Sequence, residues 1–260
     1  MPELLVCEIH THTLWITLNR TAQHNALNDK LLMQLQNQLD QAVDHPDLRL
    51  IVLKSNGPNF SAGADLSSMQ NMINSNLDEN CADAMLLARV LYTLNNSPIP
   101  TLAVVQGSAF GGGAGLVAAC DFAIAANTAS FCFSEVKLGL LPAMISPYVV
   151  NAIGTRAAGW LFLSGERINA ERALSLQLIH HCVAEAELLS YTQHYVELLS
   201  SCAPQAVRET KKLLKKFHTC RIDEELITHT VDLIANKRIS IEGQQGLKAF
   251  INKTTPAWNI

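Results

Sequence analysis

Two glycine-containing turns and one acid constrain this chain more than anything else in it. The turns are Phe60-Ser61-Ala62-Gly63-Ala64-Asp65 and Gly111-Gly112-Gly113-Ala114-Gly115, and the acid is Glu135. Stretches that read as strands precede both, Leu50–Leu53 before the first and Thr101–Val105 before the second. Small residues after a strand let backbone N–H groups approach a ligand closely, and a carboxylate farther along can act on what those groups polarise. Two such turns supply two separate backbone donors, an arrangement suited to negative charge developing on a carbonyl oxygen.

The surrounding pattern is that of an α/β protein. Thr13–Leu18 reads as a further strand, and Asn28-Asp29 as the cap of a helix carrying Leu31, Leu32, Leu35, Leu39 and Val43 at helical spacing. A second helix is expected over Asp83–Leu94, stopped by Pro98-Ile99-Pro100, and a third begins at Leu116–Ala119 after the glycines. Phe122–Ala126 and Ser130–Phe133 add strand-like pieces. From about Glu185 the pattern is continuously helical, so the expected division is a core over 1–185 and a helical region over 186–260. Arg208, Lys211, Lys212, Lys215, Lys216 and Arg221 make that region locally basic, which reads as a solvated helix face.

Bulk properties narrow the function classes. A formal charge of −4 argues against nucleic acid as the main partner. The longest apolar run, Gly113–Ala126, is broken by Asp121, so no membrane span is expected. Seven cysteines form no CxxC pair and are expected as free thiols in a reducing compartment, and Met1-Pro2-Glu3 opens without a basic leader. The expectation is a soluble cytoplasmic protein. The histidines lack HExxH context, so no metal is expected, and no GxSxG elbow points to a serine hydrolase. A dinucleotide turn fails on spacing, because counting GxGxxG from Gly111 puts Leu116 at the third glycine. Taken alone, Asp65 reads as a helix cap and Glu135 as an exposed strand-end carboxylate.

The order AGAD, GGG, then Ser134-Glu135-Val136-Lys137-Leu138-Gly139-Leu140-Leu141-Pro142 resembles the crotonase (enoyl-CoA hydratase/isomerase) superfamily. Leu18-Asn19-Arg20, Asn25-Ala26-Leu27, Ile153-Gly154, Leu163-Ser164-Gly165-Glu166 and Ala170-Glu171-Arg172-Ala173 extend the resemblance over nearly the whole chain. It implies a spiral of ββα units with a C-terminal helical trimerisation region, assembled as a homotrimer or a dimer of trimers. It also implies an acyl-CoA thioester substrate, with no cofactor beyond the coenzyme A that the substrate carries. By the same resemblance the N–H groups of Ala64 and Gly112 form an oxyanion hole, and Glu135 moves the proton at the α-carbon. Ala62, Asp65 and Leu66 would lie along the CoA, Pro142 on the acyl pocket, and Phe250 and Lys253 would help close the site, often from a neighbouring subunit. His24 falls where members often carry a basic residue near the CoA phosphates.

One position departs from the family pattern. Typical hydratases carry another glutamate three residues after the central glycine, and here that residue is Gly115. A single carboxylate suffices to move a double bond, so a Δ3-Δ2-enoyl-CoA isomerase fits simply. Against it, residues 135–148 resemble a bacterial subgroup assigned to methylglutaconyl-CoA or branched enoyl-CoA hydration that also lacks the first glutamate. Hydration of a 2-enoyl-CoA is therefore the first expectation and isomerisation the alternative; a non-catalytic acyl-CoA-binding protein is a third reading. Lys137 reads as a surface lysine before it reads as a partner for a distal carboxylate, and Tyr148 reads equally as pocket wall or core.

Overall fold

The computed structural model describes residues 3–217 and 221–259. In its first half, β1 (Leu5–His10), β2 (Thr13–Leu18), α1 (Asp29–Asp44), β3 (Leu50–Ser55), α2 (Leu66–Asn74) and α3 (Leu77–Asn96) follow one another. Next come β4 (Thr101–Val105), β5 (Ser108–Phe110), α4 (Gly112–Ala119), β6 (Phe122–Ala126) and β7 (Ser130–Cys132). The chain continues through α5 (Ser146–Ser164), β8 (Arg167–Asn169), α6 (Ala170–Ser175) and β9 (His181–Val183). Four helices close it: α7 (Leu188–Ser200), α8 (Pro204–Phe217), α9 (Glu224–Ile239) and α10 (Ile241–Asn252).

The strands build two sheets. Six lie in the order β1-β2-β3-β4-β6-β9 and three in the order β5-β7-β8. All pairs of the larger sheet are parallel except β1 with β2. The chain alternates between sheets: β4 enters the large one, β5 the small one, and α4 follows; β6 and β7 repeat the step. This is the ββα progression expected from the resemblance.

Both faces of the sheet's central strands are covered, which is why β4 and β6 read as almost unbroken apolar runs. Alternate residues point to opposite faces. Ile51, Leu53, Ala103 and Val105 pack toward α1, α3 and α4 in the main core, while Leu50, Val52, Leu102 and Val104 meet Leu188 and Val196 of α7. The packing of α7 is therefore continuous with the sheet, and the expected division at 185 coincides with no break in the core. On α1, Asn28 accepts from the Leu31 N–H as N-cap, and Leu31, Leu32, Leu35, Leu39 and Ala42 are buried. Each of those leucines contributes roughly 1.5–3 kcal/mol of burial. Val43 lies off the inward stripe and is only half-buried; Ala42 takes its place.

Three expectations change. The helix after the glycines starts at Gly112, inside the cluster, rather than at Leu116. Strands β8 and β9, three residues each, are too short for an alternating signal to stand out, and β1, six residues long, is an edge strand mostly open to solvent whose sequence carries Glu8 and His10. The basic run is not a wholly solvated face either, because Lys211 is buried against Asp121 and the Ile99 carbonyl.

Among the described residues no helix is long and apolar enough to cross a membrane. Six cysteines are free; Cys132 is buried, Cys81 and Cys202 are exposed, and burial pushes the Cys120 thiol up to about 12. Cys220 lies outside the described residues.

Candidate active site

Single bridges extend the small sheet and bring the two glycine turns together. Ser61 bridges Ala109, and Leu27 bridges Ala64. Ser61 N–H donates to the Ser108 carbonyl and Phe110 N–H to the Ser61 carbonyl, each at 3.0 Å. On the other side, Leu27 N–H donates to Gly63 at 2.7 Å and Asp65 N–H to Leu27 at 3.0 Å. The N–H of Ala64, between these bonded groups, has no acceptor among the described residues.

Gly112 supplies the second donor. It is the first residue of α4, so its N–H has no carbonyl four residues back to meet within the helix. Gly111 before it turns the chain at φ +48°, ψ −120°, a conformation that side chains resist. Two backbone donors, one of them at the positive end of a helix, thus meet one cavity.

That cavity has a volume of about 520 Å³. Ala62, Ala64, Leu66, Gly112, Glu135 and Pro142 all line it. Its walls are largely apolar, with Met69 and Met72 from α2, Leu87 from α3, and Leu141 and Ile145 before α5.

Glu135 opens a 3-10 turn, Glu135–Leu138, directly after β7. Its Oε1 lies 3.2 Å from the point a Cβ on Gly111 would occupy, so any side chain at 111 would crowd the acid. Its Oε2 is buried and has no hydrogen-bond partner. Burial raises the carboxyl pKa above its ordinary value. A carboxyl held toward its protonated form beside two free N–H groups can exchange a proton with a carbon next to a polarised carbonyl. The strand-end reading of Glu135 as an exposed carboxylate does not hold.

Other expected residues sit elsewhere. Asp65 is buried and turned inward: it caps α2 through the Ser67 N–H at 2.9 Å and pairs with Arg20 at 2.9 Å. Arg20 also donates to the Ala26 carbonyl, and Asn25 spans to the Asn56 and Asn59 carbonyls at 2.8 Å each. The Asp65 side chain therefore holds the turn in shape and does not line the cavity. Phe250 is 85% exposed on α10, and Lys253 ends that helix in a left-handed conformation; neither lines the cavity of its own chain. His24 bonds Asn59 at the surface. Lys137 is exposed and lays its stem across Gly165, and Tyr148 packs on the core away from the cavity.

Gly115 has a spatial explanation. A Cβ there would stand 2.2 Å from Cγ2 of Ile145, which is itself only 2% exposed. Where the resembled hydratases carry a carboxylate, this chain has packed an isoleucine. Nothing in the sequence shows that Ile145 faces Gly115 across 30 positions, and sequence reasoning passed the contact over. It also missed two carboxyls of the cavity wall, Asp29 and Asp83. Asp83 stands one helical turn before the inward-facing Leu87, and that spacing was the available signal. Among the described residues no cluster of His, Cys, Asp and Glu has the geometry to hold a metal ion.

Comparison with known proteins agrees with this geometry. The sequence profile of the enoyl-CoA hydratase/isomerase family matches residues 8–260. A solved Legionella pneumophila chain described within the enoyl-CoA hydratase/isomerase (crotonase) group shares 52% identity at a TM-score of 0.96, covering 98% of this chain and 99% of that one. The structure of an enoyl-CoA hydratase from Shewanella pealeana shares 41% identity at a TM-score of 0.94, covering 98% of this chain and 96% of that one. The 2,3-dehydroadipyl-CoA hydratase of Escherichia coli is 31% identical over 258 residues, 98% of each chain. The chain belongs to the enoyl-CoA hydratase/isomerase family of the crotonase superfamily.

Proposed function

We propose that this protein adds water reversibly across the double bond of a 2-enoyl-CoA whose acyl part is apolar and uncharged. The observation that carries this reading is the buried, unpartnered Glu135 oxygen in a cavity shared with the free N–H groups of Ala64 and Gly112. The thioester carbonyl sits between the two donors, which hold the enolate oxygen as charge moves onto it. Each such donor is worth roughly 3–4 kcal/mol of barrier. Glu135, as the acid, delivers the proton to the α-carbon. These transfers balance between water, Glu135 and the acyl chain, so no cofactor is proposed beyond the coenzyme A of the substrate.

The lining decides between acyl chains. Asp29, Asp83 and Glu135 are its titratable groups, and no lysine, arginine or histidine joins them. A distal carboxylate of the methylglutaconyl kind would meet like charge there, since Lys137 lies elsewhere. A branched hydrocarbon chain fits the leucine, methionine and isoleucine walls.

A second reading, isomerisation of a 3-enoyl-CoA, is favoured by the Ile145 side chain that fills the place of a second glutamate. Incubating the protein with crotonyl-CoA, a branched 2-enoyl-CoA and a 3-enoyl-CoA, with products followed by mass, separates the two. A gain of one water on a 2-enoyl substrate is expected. An unchanged mass with a shifted double bond, and no hydration, would replace hydration by isomerisation. We propose in addition that Phe250 and Lys253 complete the site of a neighbouring copy in a trimer, since both stand exposed on α10 away from their own cavity.

A further inference from the structure

We infer that Asp83 holds and deprotonates the water that attacks the β-carbon, with Asp29 as its partner in the cavity wall. The inference rests on the hydratase reading and supplies what that reading lacks, a second polar group. Gly115 cannot supply it, because Ile145 occupies the space where a side chain there would start.

Asp83 is in the right part of the site. It lies on α3 one turn before Leu87, whose Cδ2 stands 3.0 Å from where a Cβ on Gly112 would be. Residues four apart on a helix have Cβ atoms about 5–6 Å apart. Asp83 therefore flanks the oxyanion donor from α3, while Glu135 approaches it from the end of β7.

The second observation concerns how charge is handled elsewhere. Asp65 is paired with Arg20, Asp121 with Lys211, and Glu242 with Lys237. Asp83 and Asp29 line the same cavity and have no basic partner among the described residues. Desolvation and the neighbouring Asp29 both raise the Asp83 pKa, which makes its carboxylate a stronger base than an ordinary aspartate. Asp29 is the first residue of α1, where the helix dipole favours negative charge, and it is exposed to solvent. Within the same cavity, the buried Oε2 of Glu135 has no protein partner to occupy it, which leaves it available to the acyl chain.

The step then balances. The water oxygen bonds to the β-carbon and loses a proton to the Asp83 carboxylate. The double-bond pair shifts toward the thioester carbonyl, held by Ala64 and Gly112, and returns to the α-carbon as that carbon takes the proton of Glu135. Asp83 is left protonated and releases that proton to solvent past the exposed Asp29, while Glu135 takes one proton back from solvent. One water is consumed and no oxidant or reductant is needed.

The test uses the full-length protein with Asp83→Asn, Asp83→Glu and Asp29→Asn. Two readouts are taken: kcat/KM for hydration of crotonyl-CoA across pH, and exchange of the α-hydrogens of butyryl-CoA in heavy water. Asp83→Asn is expected to lower hydration by about 10²–10³-fold, within the usual range for a general base. α-Exchange, which needs only Glu135 and the two N–H groups, should stay within about three-fold, and this also reports that the variant is folded. Asp83→Glu should recover part of the hydration. Asp29→Asn removes the like charge facing Asp83 from α1, so the acid limb of the hydration profile should move to lower pH. Wild-type hydration with an unimpaired Asp83→Asn variant overturns the inference alone. Equal loss of hydration and exchange in that variant also overturns it, by making Asp83 structural. Failure of the wild type to hydrate any 2-enoyl-CoA removes the hydratase reading and the inference together.

Discussion

Two cavities of this protein each hold a half-buried carboxyl, and they treat it in opposite ways. In the larger, of about 850 Å³, Asp121 accepts from the Thr101 N–H at 2.8 Å, from the Thr101 hydroxyl at 3.0 Å and from Lys211. Lys211 in turn donates to the Ile99 carbonyl at 3.2 Å. In the smaller, Glu135 keeps one buried oxygen with no partner at all. Saturation of every polar atom is what a structural contact needs, because an unmet buried group costs free energy. An acid left unmet in an apolar wall is disfavoured for folding and useful for proton transfer. The larger cavity thus marks where α8 is fastened to the core, and the smaller one is where we propose the chemistry.

The largest expected effects test that contrast directly. Glu135→Gln should cost about 10²–10⁴-fold in turnover, measured as kcat/KM with whichever enoyl-CoA the mass assay shows to react, while the melting temperature holds or rises. Lys211→Met should do the reverse. Removing one partner of a buried pair strands the other; with Asp121 a quarter exposed and still bonded to Thr101, the loss is about 2–4 kcal/mol in urea unfolding. Adding Asp121→Asn to Lys211→Met should return part of that loss. Turnover lost with Lys211, or stability lost with Glu135, would break the contrast.

A smaller effect concerns the filled position. Gly115→Ala places a methyl 2.2 Å from Ile145 Cγ2, and overpacking of this kind costs about 1–3 kcal/mol. Ile145→Ala alone leaves a void, and the two together should be less destabilising than the sum of the single changes in thermal melts. Additive losses would show that the two residues do not share the space. The pair also sets a condition for engineering: a glutamate at 115 should fold well only after Ile145 has been shortened.

What the sequence makes legible follows from the range of each signal. Strands β2, β4 and β6 are readable to the residue because both faces are covered and every position is apolar or threonine. The glycine turns and Glu135 are readable because backbone approach and an acid after a strand leave a local trace. Ile145 against Gly115, and Lys211 against Asp121, are contacts between elements far apart in the chain, and neither residue type betrays its partner. Lys211 looks like its solvated neighbours because the run around it repeats at helical spacing; only its contacts with Ile99 and Asp121, just ahead of β4 and β6, distinguish it. Asp83 was hidden for a related reason, since a carboxyl on a helix is usually exposed and its meaning lies in Asp29, Leu87 and Gly112.

The subtlest expected effect is a pair of opposite pH slopes in stability. Burial raises the folded-state pKa of Glu135 above its ordinary 4.5, so the folded state binds its proton more tightly than the unfolded chain. The stability this contributes is complete below about pH 4.5 and is lost as pH rises through the folded value. Glu135→Gln should therefore gain on the wild type through that window and keep a constant lead above it. Asp65 runs the other way: the Ser67 hydroxyl, then Arg20, lower its pKa below the ordinary 3.8 despite burial. Its stabilisation is present above about pH 3.8 and disappears as pH falls through the folded value, so Asp65→Asn should be worst at neutral pH and approach the wild type in acid. Urea titrations of both variants from pH 3 to pH 8 read the two slopes. Slopes of the same sign would mean that Glu135, like Asp65, has a partner in the folded protein, and the division between fastening and reacting carboxyls would fall.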